Sequence, residues 1–305
     1  MKTIGMIVAV ELQSVLKRYG AKLVKRKETA GYQVLEYETD QYRMVIVNCG
    51  PGEIAAASGT QFLISEYHVD IVMNFGVVGG LTEEMSKTKV CIVEKVVHYD
   101  FDTSAADHTE VGRYSQYPDI FLPTTKVLSD TARKIHPELV PVVCASGDKF
   151  IADPEQKIRV HEMFSADICE MEAAGIVLTC NRNQVPCMLV KCVSDGIEGG
   201  FEEFQETMDA AADLCLEVVE KIVAGMEISK KKATFAIIFI SIFIIIGIVT
   251  FSYLRLKSSR ESAAVSCIEE DIKKGSVSGK NREKLESYLS EEGQDVSYYF
   301  IKGYL

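Results

Sequence analysis

The sequence predicts an α/β sandwich over residues 1–229, a transmembrane helix over 233–254 and a polar tail over 258–305. Three observations carry this. Apolar strand-like runs alternate with helical patterns along the first part of the chain, which argues for layers built on a largely parallel or mixed sheet. Residues 233–254 form a run of 22 without a charge, long enough at about 1.5 Å per residue to cross a hydrocarbon core of roughly 30 Å. The last stretch is polar and holds too few apolar residues for a core of its own.

The elements follow in order. "TIGMIVAV" (3–10) predicts a first strand and a helix begins near Gln13. "YQVLEYET" and "YRMVIVNC" predict neighbouring strands, and "GPGE" (50–53) breaks the chain before a helix through "IAAASGTQFLISEY". "VDIVMNFG" (69–76) predicts a strand ending in the loop "GVVGGL"; "KVCIVEKVVHYD" and "VPVVCASGD" predict two more. "PEQKIRVHEMF" is helical, "ADICE" is a strand turning directly into a helix at "MEAAGIVLTC", and "PCMLVKCVSD" is a further strand. A long helix over 201–225 closes the domain, and "NREKLESYL" in the tail predicts a short one.

Composition excludes several classes. The net charge is −11 with no basic face, so nucleic acid is not an expected partner. Nine cysteines are scattered singly without a CxxC, and most lie in apolar runs, as small core residues of a reducing compartment do. The five histidines are isolated, so no metal cluster and no metal cofactor is expected. The opening apolar run meets Glu11 too soon for a signal peptide, which places the first domain on the cytoplasmic side of a single-pass membrane protein. The charges flanking 233–254 are nearly balanced and do not set the orientation.

In parallel sheets ligands bind at the carboxyl ends of strands. Three such ends carry glycines or acids: "NFGVVGG", "EMEAAG" and "VSDG". Glu172 stands at a strand-to-helix junction, where a carboxylate also serves to complement a helix dipole. Asp195 ends an apolar strand before a glycine, where an aspartate also serves as a cap or turn residue. Together at one sheet edge they suggest a site. Glu170, two residues before Glu172, points to the opposite side if the strand persists and is assigned no chemistry. The glycine loops match neither a P-loop nor a dinucleotide fingerprint. "HYDFDTSA" (98–105) alternates two aspartates as metal ligands sometimes do, but is read as a loop over the pocket or a dimer contact.

The ordered set "IGMIVAVE", "NCGPGEIAAA", "NFGVVGGL", "SGDKFI", "EMEAAGI" and "VSDG" resembles the methylthioadenosine/S-adenosylhomocysteine nucleosidases of the nucleoside phosphorylase superfamily, over residues 1 to about 225. The resemblance implies a three-layer αβα sandwich around a mixed, partly barrel-like sheet, usually a homodimer. It implies hydrolysis of the N-glycosidic bond of 5′-thio-substituted adenosines, with no cofactor. By it, Glu172 binds the ribose hydroxyls and Asp195 gives a proton toward adenine N7. Phe150 stacks on the base, the Ile151 backbone bonds its edge, and Met171, Gly76, Val77 and Ser194 line the pocket. Burial is expected to raise the Asp195 pKa.

Two positions depart from the family. It usually carries a glutamate after the first strand that activates the attacking water, and a gapless alignment puts Gln13 there. Glu11 substitutes only if the loop shifts. Val77 stands where a small hydroxyl residue is common. Hydrolysis with a weaker or displaced base is the expected function. The alternatives are phosphorolysis and a catalytically impaired nucleoside sensor. Phosphorolysis is disfavoured, since related phosphorylases often place an arginine where Phe75 stands, although Lys149 and Lys191 could serve an anion.

Overall fold

A computed structural model describes residues 2–39 and 42–226 and, further on, residues 255, 259, 262, 263, 266, 267, 270, 271 and 279–291. The chain divides into two compact units, Met1–Ser229 and Lys230–Leu305. The first runs β1 (Lys2–Val8), α1 (Leu12–Tyr19), β2 (Leu23–Thr29), β3 (Tyr32–Glu38), β4 (Tyr42–Asn48), α2 (Glu53–Tyr67), β5 (Ile71–Gly80), β6 (Val90–His98), α3 (Ser104–Asp107), β7 (Phe121–Pro123), α4 (Lys126–Ile135), β8 (Val140–Ser146), α5 (Pro154–Phe164), β9 (Ile168–Glu170), α6 (Ala173–Asn183) and β10 (Cys187–Asp195). A helix described over residues 201–226, α7, ends it.

The sheet is mixed and partly closed. β5 pairs in parallel with β1 and with β10, and its last two residues pair antiparallel with β9. β10 runs antiparallel to β6, while β6–β8 and β8–β9 are parallel. Strands β5, β10, β6, β8 and β9 therefore close a ring, from which β1, β4, β3 and β2 extend as an open sheet. Gly80, the last residue of β5, lets the following turn pack close: a Cβ there would lie 2.0 Å from the Met85 carbonyl oxygen.

Strand side chains alternate between two faces, and both faces are buried here. Ile7, Val45, Val47, Val72 and Leu189 join Ala56, Leu63, Ile176 and Val177 of α2 and α6 in one core. Met6, Val8, Met44, Ile46, Met73 and Val190 join Val15 and Tyr19 of α1 and Cys215, Leu216 and Val219 of α7 in the other. Helix, sheet and helix make three layers, which is why these strands are continuous apolar runs. All nine cysteines are free thiols, and every one except Cys49 is buried.

The structure differs from the sequence reading at several edges. β1 stops at Val8 and β5 runs on to Gly80 through the glycines expected to form a loop. β2, "LVKRKET", has no sequence expectation because its charged, largely exposed residues suit an outer strand that must not recruit another chain. α4, an amphipathic helix of 10 residues, likewise has no sequence expectation.

Of the second unit, the described helix α8 (Gly279–Glu291) contains the stretch expected to be helical. Its buried Asn281 donates to Asp271 Oδ1 at 2.8 Å. Among the described residues no helix is long and apolar enough to cross a membrane; the expected span at 233–254 lies outside them.

Candidate active site

The ends of β1, β5, β9 and β10 meet at a cleft of about 170 Å³ lined by Ala9, Val10, Glu11, Pro51, Val77, Val78, Gly79, Phe150, Cys169, Glu170, Met171, Glu172, Ser194, Asp195 and Phe204. Four carboxyl groups stand on the wall, with no lysine or arginine among its lining residues.

Glu172 is the N-cap residue of α6, yet its side chain makes no capping bond. It turns into the cleft, where Oε1 accepts from Gly52 N at 2.9 Å. Gly52 has φ +102°, a backbone setting that a side chain would strain. Capping falls to Glu170, whose carboxylate accepts from Glu172 N at 3.1 Å and from Ala173 N at 3.0 and 3.1 Å. The strand ends at Glu170, so alternation does not carry it to the far side as expected; both glutamates border the cleft.

Behind them lies a buried charge cluster that sequence reasoning missed. Lys191 Nζ binds Glu170 Oε2 at 3.0 Å. Ser146 Oγ lies 2.5 Å from Glu170 Oε1, hydrogen-bonds Glu53 Oε1, and accepts from Ala174 N at 3.0 Å. Glu53 Oε2 also accepts from Gly175 N at 2.5 Å. Ser146 owns one hydroxyl proton between two carboxyl groups. Glu170 is held as a carboxylate by Lys191 and backbone N–H groups, so it accepts the serine hydrogen bond; Glu53 brings a proton of its own. Burial and then the Glu170 charge push the Glu53 carboxyl up to about 8, in agreement. Burial, again with Glu170, raises Glu172 to about 7, while Lys191 and the Gly52 N–H oppose the rise. Burial also works against the charge of Glu170, but Lys191 and its hydrogen bonds prevail and its pKa is lowered. Lys191 is likewise penalised by burial, yet Glu170 and then Glu172 hold its ammonium above the usual lysine range.

Asp195, at the end of β10, is 1% exposed. Its Oδ1 receives a hydrogen bond from Ser194 Oγ at 2.8 Å and its Oδ2 lies 2.6 Å from Lys157 Nζ. Burial raises its pKa, as expected from sequence, although Lys157 and Ser194 pull the other way. Beside it Phe150 packs edge-on against Phe204, with ring centroids 5.3 Å apart, and against Phe201 at 6.0 Å. Phe150 and Phe204 give the cleft an apolar wall that a flat base can meet.

The other expected residues separate. Met171, Val77, Phe150 and Ser194 lie on the cleft wall. The Ile151 side chain is in a small core with Leu81, Val97 and Phe164, so any part in binding falls to its backbone. Gly76 leaves room for another group: a Cβ there would be 2.7 Å from Glu11 Oε1. Gln13 does not join them. α1 begins at Leu12, which places Gln13 on the first turn and exposed to solvent, off the cleft wall. Glu11, just before the helix, turns inward instead. It is 5% exposed, and its two oxygens accept from Val77 N and Val10 N at 3.0 Å each. Val77 thus contributes its backbone N–H to holding that carboxylate.

The "HYDFDTSA" aspartates make protein contacts. Asp100 binds His98 Nε2 at 2.9 Å and accepts from Asp148 N; Asp102 accepts from Ser104 N. Among the described residues no group of three or more histidine, cysteine or acidic residues could hold a metal ion. Lys149 donates to Gln156 Oε1 at 2.7 Å on an exposed face.

Comparison with known proteins agrees with this architecture. The family model described as the phosphorylase superfamily matches residues 3–224. The 5′-methylthioadenosine/S-adenosylhomocysteine nucleosidase of Tolumonas auensis is 30% identical over 213 residues, covering 67% of this chain and 92% of the relative. The same-named protein of Staphylococcus aureus is 30% identical over 231 residues, 73% of this chain and 100% of the relative. The crystal structure of such a nucleosidase from Neisseria meningitidis, in complex with methylthio-immucillin-A, aligns with a TM-score of 0.67 at 27% identity, over 73% of this chain and 99% of that one.

Proposed function

We propose, for a chain that belongs to the 5′-methylthioadenosine/S-adenosylhomocysteine nucleosidase family of the phosphorylase superfamily, that it hydrolyses the N-glycosidic bond of 5′-thio-substituted adenosines and releases adenine. The observation that carries this is the joint presence of Glu11, Glu172 and Asp195 on one cleft beside the Phe150 ring.

The roles follow from the chemistry. Departure of adenine leaves positive charge on the sugar and negative charge on the base. Glu172 accepts the ribose hydroxyls and stabilises the cationic ring. Asp195 gives its proton to N7, so the purine leaves neutral. Phe150 and Phe204 flank the base. Glu11, on the same cleft, takes a proton from water as it attacks the anomeric carbon. The polar lining favours water over phosphate: a dianion in this cleft would face four carboxyl groups, while Lys191 and Lys157 are already bound to acids behind the wall.

The test is adenine release from methylthioadenosine and from S-adenosylhomocysteine by the full chain, with and without phosphate, and Asp195→Asn as control. Release that is independent of phosphate and lost in the control supports hydrolysis. Release that requires phosphate and yields a sugar 1-phosphate contradicts it. Binding without release would favour a sensor.

Residues 233–254 motivate a second part of the reading, a membrane tether for the enzyme, because a charge-free run of that length matches the bilayer core. Recovery of the full chain in a carbonate-washed membrane fraction, and of residues 1–229 in the supernatant, checks it. A homodimer is the assembly implied by the resemblance, and light scattering at several concentrations would decide it.

A further inference from the structure

Lys157 is fully buried in the first turn of α5, the end of the helix that Asp153 caps. An unpaired ammonium in such a place costs several kcal/mol, so its partners indicate its purpose. It has three, one for each proton: Asp195 Oδ2 at 2.6 Å, the Gly196 carbonyl at 2.6 Å and the Gly199 carbonyl at 2.9 Å. All three belong to the end of β10 and the loop after it. That loop leads directly into the first turn of α7, which bears Phe201 and Phe204. One cation thus joins the acid on the cleft to the segment that presents the aromatic wall.

We propose that Lys157 is a positioning residue for the proton transfer, holding Asp195 Oδ2 as a fixed acceptor so that the transferable proton is carried on Oδ1. This rests on the nucleosidase reading above. In the step, the Oδ1–H bond breaks and an N7–H bond forms. The bonding pair of the O–H remains on Asp195, and the electron pair of the glycosidic bond leaves with adenine. Asp195 becomes a carboxylate, and Lys157 already stands at its other oxygen to stabilise it. Ser194 Oγ, within 2.8 Å of Oδ1 and 3.2 Å of the Val78 carbonyl, can donate to either and so accommodates both states of the acid. The same ammonium offsets burial, which by itself would leave Asp195 too weak an acid. Other groups around Asp195 are Glu203 of α7, which accepts from Gly196 N at 2.8 Å, Lys87, paired with Glu203 at 2.8 Å, and the buried thiol of Cys169 in β9.

The experiment is a titration of the Asp195 side-chain carboxyl by carbon-13 NMR, together with the pH profile of kcat/KM, in the full chain and in Lys157→Met. Loss of the cation should raise the carboxyl midpoint by about 1–3 pH units and move the basic limb of the profile with it. Turnover should fall, by at most the about 10²–10⁴-fold that a positioned general acid contributes, with KM little changed. Lys157→Gln, which keeps donors for the two carbonyls without the charge, carries the same expectation if the methionine variant does not fold. An unchanged midpoint and limb would overturn the proposal, as would failure of both variants to fold, which would make Lys157 a folding residue. Absence of adenine release by the unaltered protein would overturn the nucleosidase reading instead, and the NMR titration would still decide the role of Lys157.

Discussion

Two acid-bearing strand ends border the cleft on either side of the end of β5, each backed by one buried lysine, and the lysines are used differently. At the end of β10, Lys157 binds the cleft acid Asp195 itself. At the end of β9, Lys191 binds Glu170 and leaves Glu172, two residues on, to face the cleft. The first arrangement is one cation to one acid. The second gathers Glu53, Glu170 and Glu172 around one cation, and the excess of carboxyl groups forces protons onto the cluster. The comparison shows how a wall of like residues is given unlike roles: by where the counter-charge sits, not by residue type.

Substitutions can break this contrast. The largest effect is expected from Asp195→Asn, which keeps the shape but holds no acidic proton; turnover should fall by about 10²–10⁴-fold, measured as adenine release at saturating substrate. Next is Lys191→Met, which leaves Glu170 buried without its cation. Stability should drop by about 3–5 kcal/mol, seen as an earlier midpoint in urea unfolding. Glu172→Gln removes a charged acceptor while leaving the β10 side intact. Its loss in kcat/KM should correspond to about 1.5–3 kcal/mol, and steady-state kinetics with methylthioadenosine check it.

The smallest effect, taken per pH unit, is the pH dependence of stability. Glu53 has a usual value of 4.5 and is raised to about 8 in the fold. Between those values the folded chain binds the proton and the unfolded chain does not, so stability falls as pH rises through that window. The slope is about 1.4 kcal/mol per pH unit for one proton and flattens above 8. Glu172, raised to about 7, contributes in the same direction up to that point. The interval from 7 to 8 therefore belongs to Glu53, and Glu53→Gln should flatten it in unfolding curves taken at successive pH values.

Much of this architecture is legible in the sequence, for physical reasons. Strands buried on both faces are continuous apolar runs, so β1, β4, β8 and β10 stand out. Pro154 at the first turn and Asp153 before it announce α5. β2 is not legible, because an outer strand carries the charges of a solvated helix face. Glu172 and Asp195 are legible as acids ending apolar runs. Glu170 and Gln13 are misread for opposite reasons. Alternation places Glu170 away from the site only if β9 continues, and β9 ends there. Counting places Gln13 at the catalytic position, but the start of α1 turns it outward and Glu11 inward. Lys157 and Lys191 carry no local signal, since their partners lie 38 and 21 residues away.

The central claim is that Glu11, and not Gln13, serves the attacking water. It is tested most directly by the turnover of Glu11→Gln and of Gln13→Ala in phosphate-free buffer, with folding checked by circular dichroism. The account predicts a loss of about 10²–10⁴-fold for Glu11→Gln and a change within about twofold for the exposed Gln13, as for most surface substitutions. Near-normal turnover in Glu11→Gln, or a large loss in Gln13→Ala, would contradict it.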